Sequence, residues 1–290
     1  MMKNFANKTA VITGGGGGIG KALAHMAADR QMNVVLADVQ EDALVAAVSE
    51  LENRQCPVIG VNTDSRQKAM IENLYTEAIN KFGNVHLLFN NAGVVNGGPK
   101  VPIWKLPDVD WEWVYGVNFQ GVLNGIQTFT QHMVRHGEEG HIVNTASIAC
   151  FMPGGGPYNV SKYGVVVVSE QLALDLEAAE SKIGASVLCP GWVDTGISDA
   201  ERNRPSELKN DINPDGIGLG ADKLLAGGKS PHDLAAAVFE SIENDQFYIF
   251  PHPGWDYMLR AHTEAMLSRG APYHFDLEAH VASRAAGQDI

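Results

Sequence analysis

Tyr158 and Lys162 stand four residues apart in a helical stretch, so their side chains share one face of the predicted helix. A phenol has a pKa of about 10 and is a poor base at neutral pH. Lowering that pKa by about three units requires roughly 4 kcal/mol of preference for the phenolate, and a nearby ammonium group can supply part of it. The pair could therefore exchange a proton with a substrate. The same spacing, taken alone, is also common on surface helices.

Other polar residues accompany this pair. Ser147 ends the strand-like segment "HIVNTAS", and "NNAG" at 90–93 ends another. Asn118 lies in "GVNFQG" on a long predicted helix, and "PGWVDT" at 190–195 follows a further strand. Each motif alone is weak evidence for a function, whereas the whole set in this order along the chain is more specific.

The stretch "TGGGGGIG" at 13–20 lies between a short apolar strand and an amphipathic helix. Glycines at such a turn let the backbone approach a ligand, and free N–H groups at a helix start attract phosphate. A plain flexible turn is the alternative. Gly15, Gly17 and Gly20 fit G-x-G-x-x-G, whereas Gly14, Gly18 and Gly20 fit T-G-x-x-x-G-x-G. The run itself does not choose between these registers.

Asp38 ends the next predicted strand. A carboxylate there can accept hydrogen bonds from adenosine ribose hydroxyls and would repel a 2′-phosphate. Val39, which follows, is not basic, and neither Gly17 nor Lys21 clearly supplies a phosphate partner. The pattern favours NAD over NADP. A helix N-cap is the alternative role for Asp38.

Strand-like and helical segments alternate along the chain, which indicates a parallel sheet covered by helices on both faces. The predicted strands lie at 9–13, 33–39, 58–64, 85–93, 140–147, 185–191 and 246–252, and the main helices near 19–31, 41–53, 66–82, 110–135, 158–181 and 231–244.

Two segments depart from this alternation. Residues 196–229 contain six glycines and mixed charge, and we predict a mobile lid there, with "DAERNRPSELKND" facing solvent and Ile197 with Leu208 or Ile212 pointing inward. The tail at 255–290 follows a dehydrogenase-sized domain at 1–254. Trp255, Leu259, His262 and Met266 share a helical face in the tail, which predicts either a docked stripe or an oligomer contact.

Composition excludes several classes of protein. The 290-residue chain is 45% hydrophobic and carries a net charge of −13, which argues against a nucleic-acid surface. No uncharged apolar run has the length of a membrane span, and three distant cysteines without C-x-x-C fit a reducing, cytoplasmic setting. His132 and His136 have helical i, i+4 spacing, but no third ligand stands beside them, so we predict no metal site.

Between Lys8 and about Pro251 the chain resembles the short-chain dehydrogenase/reductase family. The resemblance rests on TGxxxGxG, NNAG, a helix asparagine, a serine, YxxxK and PGxVxT in that order. It implies a Rossmann-type, doubly wound parallel seven-stranded sheet, an NAD cofactor and a homodimer or homotetramer. It also selects the register Gly14, Gly18 and Gly20, and it makes Gly15, Gly16 and Gly17 dispensable.

The resemblance also implies roles for the site residues. Tyr158 would be the acid/base, Lys162 would lower its pKa and hold the nicotinamide ribose, Ser147 would bind the substrate oxygen, and Asn118 would hold a relay water. Asp64 and Ser65 would contact adenine. The remaining cofactor residues would be Gly14, Gly18, Ile19, Gly20, Asp38, Val39, Asn91, Ala92, Gly93, Pro190, Gly191, Val193 and Thr195.

These roles predict hydride transfer between nicotinamide and a secondary alcohol or ketone. Phe151, Met152 and Trp192 flank the catalytic positions and Trp104 follows NNAG, which favours a bulky or aromatic substrate over a small polar one, with core packing as the alternative. A looser likeness to bacterial aryl-alcohol Cα-dehydrogenases lies in "GVNFQGVLNGIQTF", "GHIVNTAS" and "YIFP". The loop between Ser147 and Tyr158 is about two residues shorter than in many family members.

Two other functions stay open at this point. One is a catalytically silent NAD-binding regulator on the same fold, because a fold alone proves no activity. The other is a sugar-nucleotide epimerase or dehydratase, although such chains usually carry a larger C-terminal substrate domain than this one has.

Overall fold

Parallel strands form one continuous sheet in a computed structural model that describes residues 2–96, 101–152, 154–210 and 227–276. The seven strands found there are β1 (Thr9–Thr13), β2 (Asn33–Asp38), β3 (Val58–Asn62), β4 (Leu87–Asn90), β5 (Gly140–Thr145), β6 (Ile183–Leu188) and β7 (Tyr248–Ile249). Their order across the sheet is β3-β2-β1-β4-β5-β6-β7. The predicted doubly wound fold is confirmed. Among the described strands, β4 and β7 are less than half as long as their predicted segments.

Helices cover both faces of this sheet. They are α1 (Gly18–Asp29), α2 (Glu41–Glu52), α3 (Lys68–Phe82), α4 (Asp108–Tyr115), α5 (Gly121–His136), α6 (Pro157–Ala178), α7 (Pro231–Glu243) and α8 (Asp256–Leu267). The apolar sides of α1, α2 and α7 pack on one face, and those of α3, α5 and α6 pack on the other. Every residue of β1, β4 and β5 is buried, which explains their continuous apolar sequences.

The predicted single helix at 110–135 is instead two α-helices joined by a π turn. The turn spans Gly116–Gln120 and places Asn118 at its centre. A π turn adds one residue to the helix without ending it, so hydrophobic periodicity did not reveal it.

The strand order reverses between β1 and β4, because β1 pairs with β2 on one side and with β4 on the other. Loops from the two halves diverge at such a point and leave a crevice at the carboxyl ends of the strands. The sheet therefore positions any ligand site beside the glycine-rich turn that follows β1.

Residues 196–210, hereafter the strap, are described, and they contain two short 3-10 segments, Gly196–Asn203 and Ser206–Leu208. Leu208 is buried and Ile197 lines the cavity described below, as predicted. The prediction that the charged residues face solvent is wrong for Arg204, whose side chain is 2% exposed. The rest of the predicted lid at 211–226, with Ile212, lies outside the described residues.

The buried Arg204 guanidinium has partners on three sides. Its Nη2 lies 2.7 Å from Asp110 Oδ1, and its Nε lies 2.7 Å from Glu201 Oε2. It also stacks over Trp113, with 4.1 Å between the guanidinium carbon and the ring centroid. A buried charge requires such pairing, so this network fixes the strap to α4.

The tail begins with helix α8, which docks through Trp255 and Met258. Leu259 is partly buried in the same cluster, and His262 lies near the Phe151 ring. Met266 is 56% exposed, so the predicted stripe is wrong at that position. The described part of the tail therefore packs on the domain near Ile148. Within the described ranges no helix is both long and apolar enough to cross a bilayer.

Candidate active site

A cavity of about 700 Å³ runs along the carboxyl ends of the strands. One end is lined by the glycine-rich turn and Asp38, and the other by Ser147, Tyr158 and Trp255. The motifs that are scattered along the sequence thus surround one space.

Backbone geometry in the turn selects one of the two glycine registers. Gly14 and Gly18 have φ angles of +66° and +50°, in the left-handed region that favours glycine. A Cβ added to Gly20 would lie 2.0 Å from the carbonyl oxygen of Gly14. These three positions are the ones in T-G-x-x-x-G-x-G.

The other glycines of the run are not equivalent. A Cβ at Gly17 would meet nothing within 4 Å, so this residue is dispensable as expected. A Cβ at Gly15 would lie 2.8 Å from Leu36 Cδ2, and one at Gly16 would lie 2.9 Å from Asp38 Oδ2. Only Gly17 is thus free of contacts, and a side chain at Gly15 or Gly16 would require Leu36 or Asp38 of β2 to shift.

The start of α1 suits a phosphate group. Its N-cap residue is Gly17, and no side chain caps the first turn. Uncapped N–H groups at a helix start attract anions. Gly18 and Ile19 both line the cavity. The turn therefore fits the pyrophosphate of a dinucleotide.

Asp38 lines the cavity with its carboxylate held in place. Its Oδ2 accepts a hydrogen bond from Gly16 N at 2.9 Å, and its Oδ1 accepts one from Gln40 N at 2.9 Å. The N-cap position of α2 is Gln40. Asp38 is therefore not a helix cap, and its carboxylate oxygens keep lone pairs for ribose hydroxyls. Val39 beside it is 45% exposed and also lines the cavity.

Asp64, predicted to contact adenine, is engaged by a neighbour. Its carboxylate accepts from Arg66 at 2.6 Å (Nη2) and 3.0 Å (Nε). These bonds hold the carboxyl pKa below its ordinary value, against the opposing effect of burial. Ser65 is buried with its carbonyl accepting from Asn124 at 2.9 Å, and both predicted adenine residues line the cavity.

The segment after β4 is tied directly to the glycine turn. Thr13 Oγ1 accepts from Asn91 N at 2.9 Å and from Ala92 N at 3.1 Å, and Asn91 Nδ2 donates to Thr13 O. Gly93 lies close to Lys162, since an added Cβ would be 3.2 Å from Nζ. Asn91, Ala92 and Gly93 thus form the floor between the two ends of the cavity.

Asn118 is fully buried and is hydrogen-bonded to Val94, which directly follows this floor. Its Oδ1 accepts from Val94 N at 2.8 Å, and its Nδ2 donates to Val94 O at 2.9 Å and to Ser161 Oγ at 3.2 Å. Both amide protons are thereby used to position Val94 and α6. The relay water assigned to Asn118 stays a prediction.

Ser147, Tyr158 and Lys162 converge at the far end of the cavity. The Ser147 hydroxyl acts as a hydrogen-bond donor toward the Tyr158 phenol oxygen, and its Oγ accepts from Ala149 N at 3.2 Å. Lys162 is buried, and its Nζ donates to Thr145 O at 2.8 Å. The helix α6 carries the last two residues and begins at Pro157, which suits a first helical position.

Burial dominates the electrostatics of this group. It raises the pKa of the Tyr158 phenol, and the hydrogen bond from Ser147 opposes that shift. Burial also lowers the pKa of the Lys162 ammonium to about 8. Nζ of Lys162 donates to Thr145 O and lies 5.9 Å from the Tyr158 ring centroid, and the role of Lys162 in lowering the tyrosine pKa stays a prediction.

The loop after β6 forms the wall beside these residues. Pro190 O accepts from Ile148 N at 3.0 Å, and Gly191 N donates to His252 Nδ1 at 3.0 Å. Val193 forms a bridge with Lys229, and Thr195 Cγ2 packs on Gly18. All four predicted residues of this loop, Pro190, Gly191, Val193 and Thr195, line the cavity.

The substrate end of the cavity is apolar, and sequence reasoning found only part of it. Met152 and Trp192 line the cavity as predicted, but Phe151 packs instead against Tyr163 and Phe250. Trp104 is 80% exposed and is not among the lining residues. The residues that were missed are Trp113, Trp255, Ile148, Val95 and Ala200.

His132 and His136 have structural partners. His132 Nδ1 lies 3.4 Å from the Tyr75 hydroxyl, and His136 Nε2 donates to Val85 O at 2.9 Å. Across the described ranges, no three His, Cys, Asp or Glu side chains are grouped as metal ligands would be.

Comparisons with known proteins agree with this arrangement. A family model described as "short chain dehydrogenase" matches residues 8–206. The "CLA biosynthesis dehydrogenase/reductase" of Lactiplantibacillus plantarum is 31% identical, with 93% of this chain and 97% of that protein covered. The "C alpha-dehydrogenase" of a Sphingobium species is 32% identical, with coverage of 96% and 91%.

A solved structure is also similar over nearly the whole chain. It is a short-chain dehydrogenase/reductase from Burkholderia phymatum in complex with NAD. The two chains are 42% identical and superpose with a TM-score of 0.90, covering 95% of this chain and 99% of the other.

Proposed function

This chain belongs to the short-chain dehydrogenase/reductase family, and from that premise we propose that it is an NAD-dependent dehydrogenase/reductase of bulky, apolar secondary alcohols and ketones. Its class is that of oxidoreductases that use a nicotinamide cofactor and act on hydroxyl or keto groups. The choice of NAD and the kind of substrate are the parts proposed here.

One observation carries the proposal: the Ser147–Tyr158–Lys162 group shares a cavity with the glycine turn and Asp38. When bound, the nicotinamide supplies or accepts the hydride at its C4 atom. The turn at one end would hold the pyrophosphate, and the polar group at the other end would hold the reacting oxygen. The cavity therefore has a place for both parts of the reaction.

The chain's own residues would handle the proton. Because burial raises the pKa of Tyr158, its hydroxyl is protonated at neutral pH and can donate to a carbonyl oxygen during ketone reduction. Ser147 would hydrogen-bond the same oxygen. In alcohol oxidation Tyr158 must accept the proton, and positive charge from Lys162 and from the oxidised cofactor would favour its phenolate.

Asp38 supports the choice of NAD. Its carboxylate is fixed by the amides of Gly16 and Gln40, so it cannot easily turn away from a 2′-phosphate. We expect wild type to bind NADH much more tightly than NADPH in a fluorescence titration. Asp38→Ala combined with Val39→Arg should reverse the preference by removing the repulsion and adding a bidentate phosphate partner. Equal use of both cofactors by wild type would contradict this assignment.

The apolar wall supports a bulky substrate. Trp113, Trp192 and Trp255 line the substrate end, with Met152 beside them. A relative that is 33% identical is named "3beta-hydroxysteroid dehydrogenase 2", and a steroid is a bulky substrate. We expect kcat/KM for aryl and polycyclic ketones to exceed that for small polar ketones by at least about tenfold. A preference for small polar ketones would overturn the substrate class.

The same assay separates an enzyme from a silent NAD-binding regulator. A regulator would bind NADH but oxidise it with none of the ketones. The filled Ser147, Tyr158 and Lys162 positions do not favour that alternative. Steady oxidation of NADH that requires a ketone would exclude it.

We also propose that the protein acts in the cytoplasm as a homodimer or homotetramer. The thiols of Cys56, Cys150 and Cys189 are free, which suits a reducing compartment. Helix α6 exposes Tyr163, Val167 and Leu174, and apolar side chains exposed on one helix suit burial between subunits. Light scattering after gel filtration would give the mass in solution, and a monomer would contradict the proposal.

A further inference from the structure

Arg202 extends from the strap across the mouth of the cavity. Its Nε donates to Gln40 Oε1 at 3.3 Å, and its Nη1 donates to the carbonyl oxygens of Gly196 at 2.8 Å and Asp199 at 2.6 Å. Gln40 follows β2, whereas Gly196 follows the loop after β6. One side chain thus connects the two loops that face each other across the cavity.

The segment that carries Arg202 begins close to the start of α1. Thr195 Cγ2 would be 3.1 Å from a Cβ at Gly18, so the loop after β6 passes directly above the glycine turn. In the next residue, a Cβ at Gly196 would lie 3.6 Å from Arg202 Nη2. Arg202 and the uncapped start of α1 therefore line the same cavity.

Charge distinguishes Arg202 from the other cations that line the cavity. Arg66 is bound by Asp64 at 2.6 Å, and Lys162 is buried beneath the cavity with its Nζ donating to Thr145 O. The Arg202 side chain is 38% exposed, and the nearest oxygen of its carboxylate neighbour, Asp199, lies 3.7 Å away. Its positive charge is thus only weakly offset, in a chain with a net charge of −13.

We propose that Arg202 binds the pyrophosphate of the dinucleotide, on the side opposite the glycine turn. This inference rests on the proposed function, since it concerns the same cofactor. A guanidinium presents several N–H donors in one plane and pairs well with phosphate oxygens. The turn would contribute backbone N–H groups and Arg202 a full charge, so the two would hold the diphosphate from both sides.

Binding measurements on the full chain test this role without turnover. Arg202→Met removes the charge but keeps a long side chain, and Arg202→Lys keeps the charge. Arg54→Met is the matched control, because it removes an exposed arginine that pairs with Asp29 away from the cavity. Each variant is titrated with ADP, adenosine, NADH and NADPH by calorimetry, at low and at high salt.

We expect Arg202→Met to weaken ADP and NADH binding by about tenfold, the effect of one charge-assisted hydrogen bond. Adenosine affinity should stay within about twofold, and Arg202→Lys and Arg54→Met should stay close to wild type. High salt should reduce the difference between wild type and Arg202→Met, because that contact is solvent-accessible.

Three results would overturn the inference. ADP affinity unchanged in Arg202→Met would show that the guanidinium does not contact the diphosphate. Equal losses for adenosine and ADP would show that Arg202 only supports the strap. A loss confined to NADPH would assign it to a 2′-phosphate instead. If wild type binds neither ADP nor NADH, the proposed function itself fails, which is a different result from an unaffected variant.

Discussion

The two ends of the cavity are built in different ways. The cofactor end is formed mainly by backbone: strand ends, a glycine turn with two left-handed residues, and a helix start with no side-chain cap. The substrate end is formed by side chains from the strap, the tail and α4, including Trp113 and Trp255. The cofactor end has little space for added side-chain atoms, whereas side-chain substitutions can change the shape of the substrate end. The comparison teaches that cofactor and substrate recognition can vary separately in this fold.

The strongest test of the backbone-built end is Gly20→Ala. Its Cβ would lie 2.0 Å from Gly14 O, so the turn must move, and we expect NADH binding to be lost within the measurable range. Gly17→Ala is the matched control, since its Cβ meets nothing within 4 Å. Fluorescence titration and thermal melting of both variants check this. Equal NADH affinity in the two variants would show that the turn is more adaptable than described.

Tyr158→Phe tests the junction of the two ends. It keeps the ring and removes the proton that is transferred, so kcat should fall by at least about 10² while the NADH dissociation constant changes little. Steady-state kinetics and an NADH titration measure the two quantities. Near-normal turnover would remove Tyr158 from the mechanism.

Arg204→Met tests the support of the side-chain-built end. It leaves the buried Asp110 without its cation, so unfolding free energy should fall by about 3–5 kcal/mol if the carboxylate stays charged. KM for bulky ketones should rise, because Trp113 loses the guanidinium that stacks on it. Denaturant unfolding and kinetics check both effects.

Asp110→Leu combined with Arg204→Met separates charge from packing. It removes both buried charges, so it should recover part of the lost stability. No recovery would mean that packing, rather than the unpaired carboxylate, caused the loss.

Trp255→Leu tests the contribution of the tail and has the smallest expected effect. Trp255 lines the cavity and packs on Trp192, so KM for bulky substrates should change by up to about tenfold with NADH affinity unchanged. Leu267→Ala, at an exposed position on the helix α8 that follows Trp255, is the control. If Trp255→Leu changed the NADH affinity as much as it changed KM, the two ends of the cavity would not be independent.

The same difference explains what the sequence could predict. Strand ends, glycines at fixed spacing and Y-x-x-x-K are local patterns, so the sequence could predict residues of both groups, which the structure brings to one cavity. The role of Gly15 and Gly16 was missed because it depends on Leu36 and Asp38, which come from the next strand.

The substrate end was predicted less well because its contacts join distant segments. From the sequence, Arg204 is predicted to be a solvent-exposed charge in a glycine-rich loop. In the structure it is buried because it pairs with Asp110 on α4. Trp104 suggested a pocket residue by its position after NNAG but is exposed. The hydrophobic periodicity of the sequence indicates neither the burial of Arg204 nor the exposure of Trp104.

The π turn at Gly116–Gln120 also constrains how this protein can evolve. Deleting one residue there would restore regular α-helical hydrogen bonds, which would favour the isolated helix. It would also rotate everything before the deletion by about 100° relative to everything after it, because an α-helix has 3.6 residues per turn. Asn118 would then lose its alignment with Val94, or Trp113 would leave the cavity wall. Selection on the site therefore acts on the number of residues in this helix as well as on their identity.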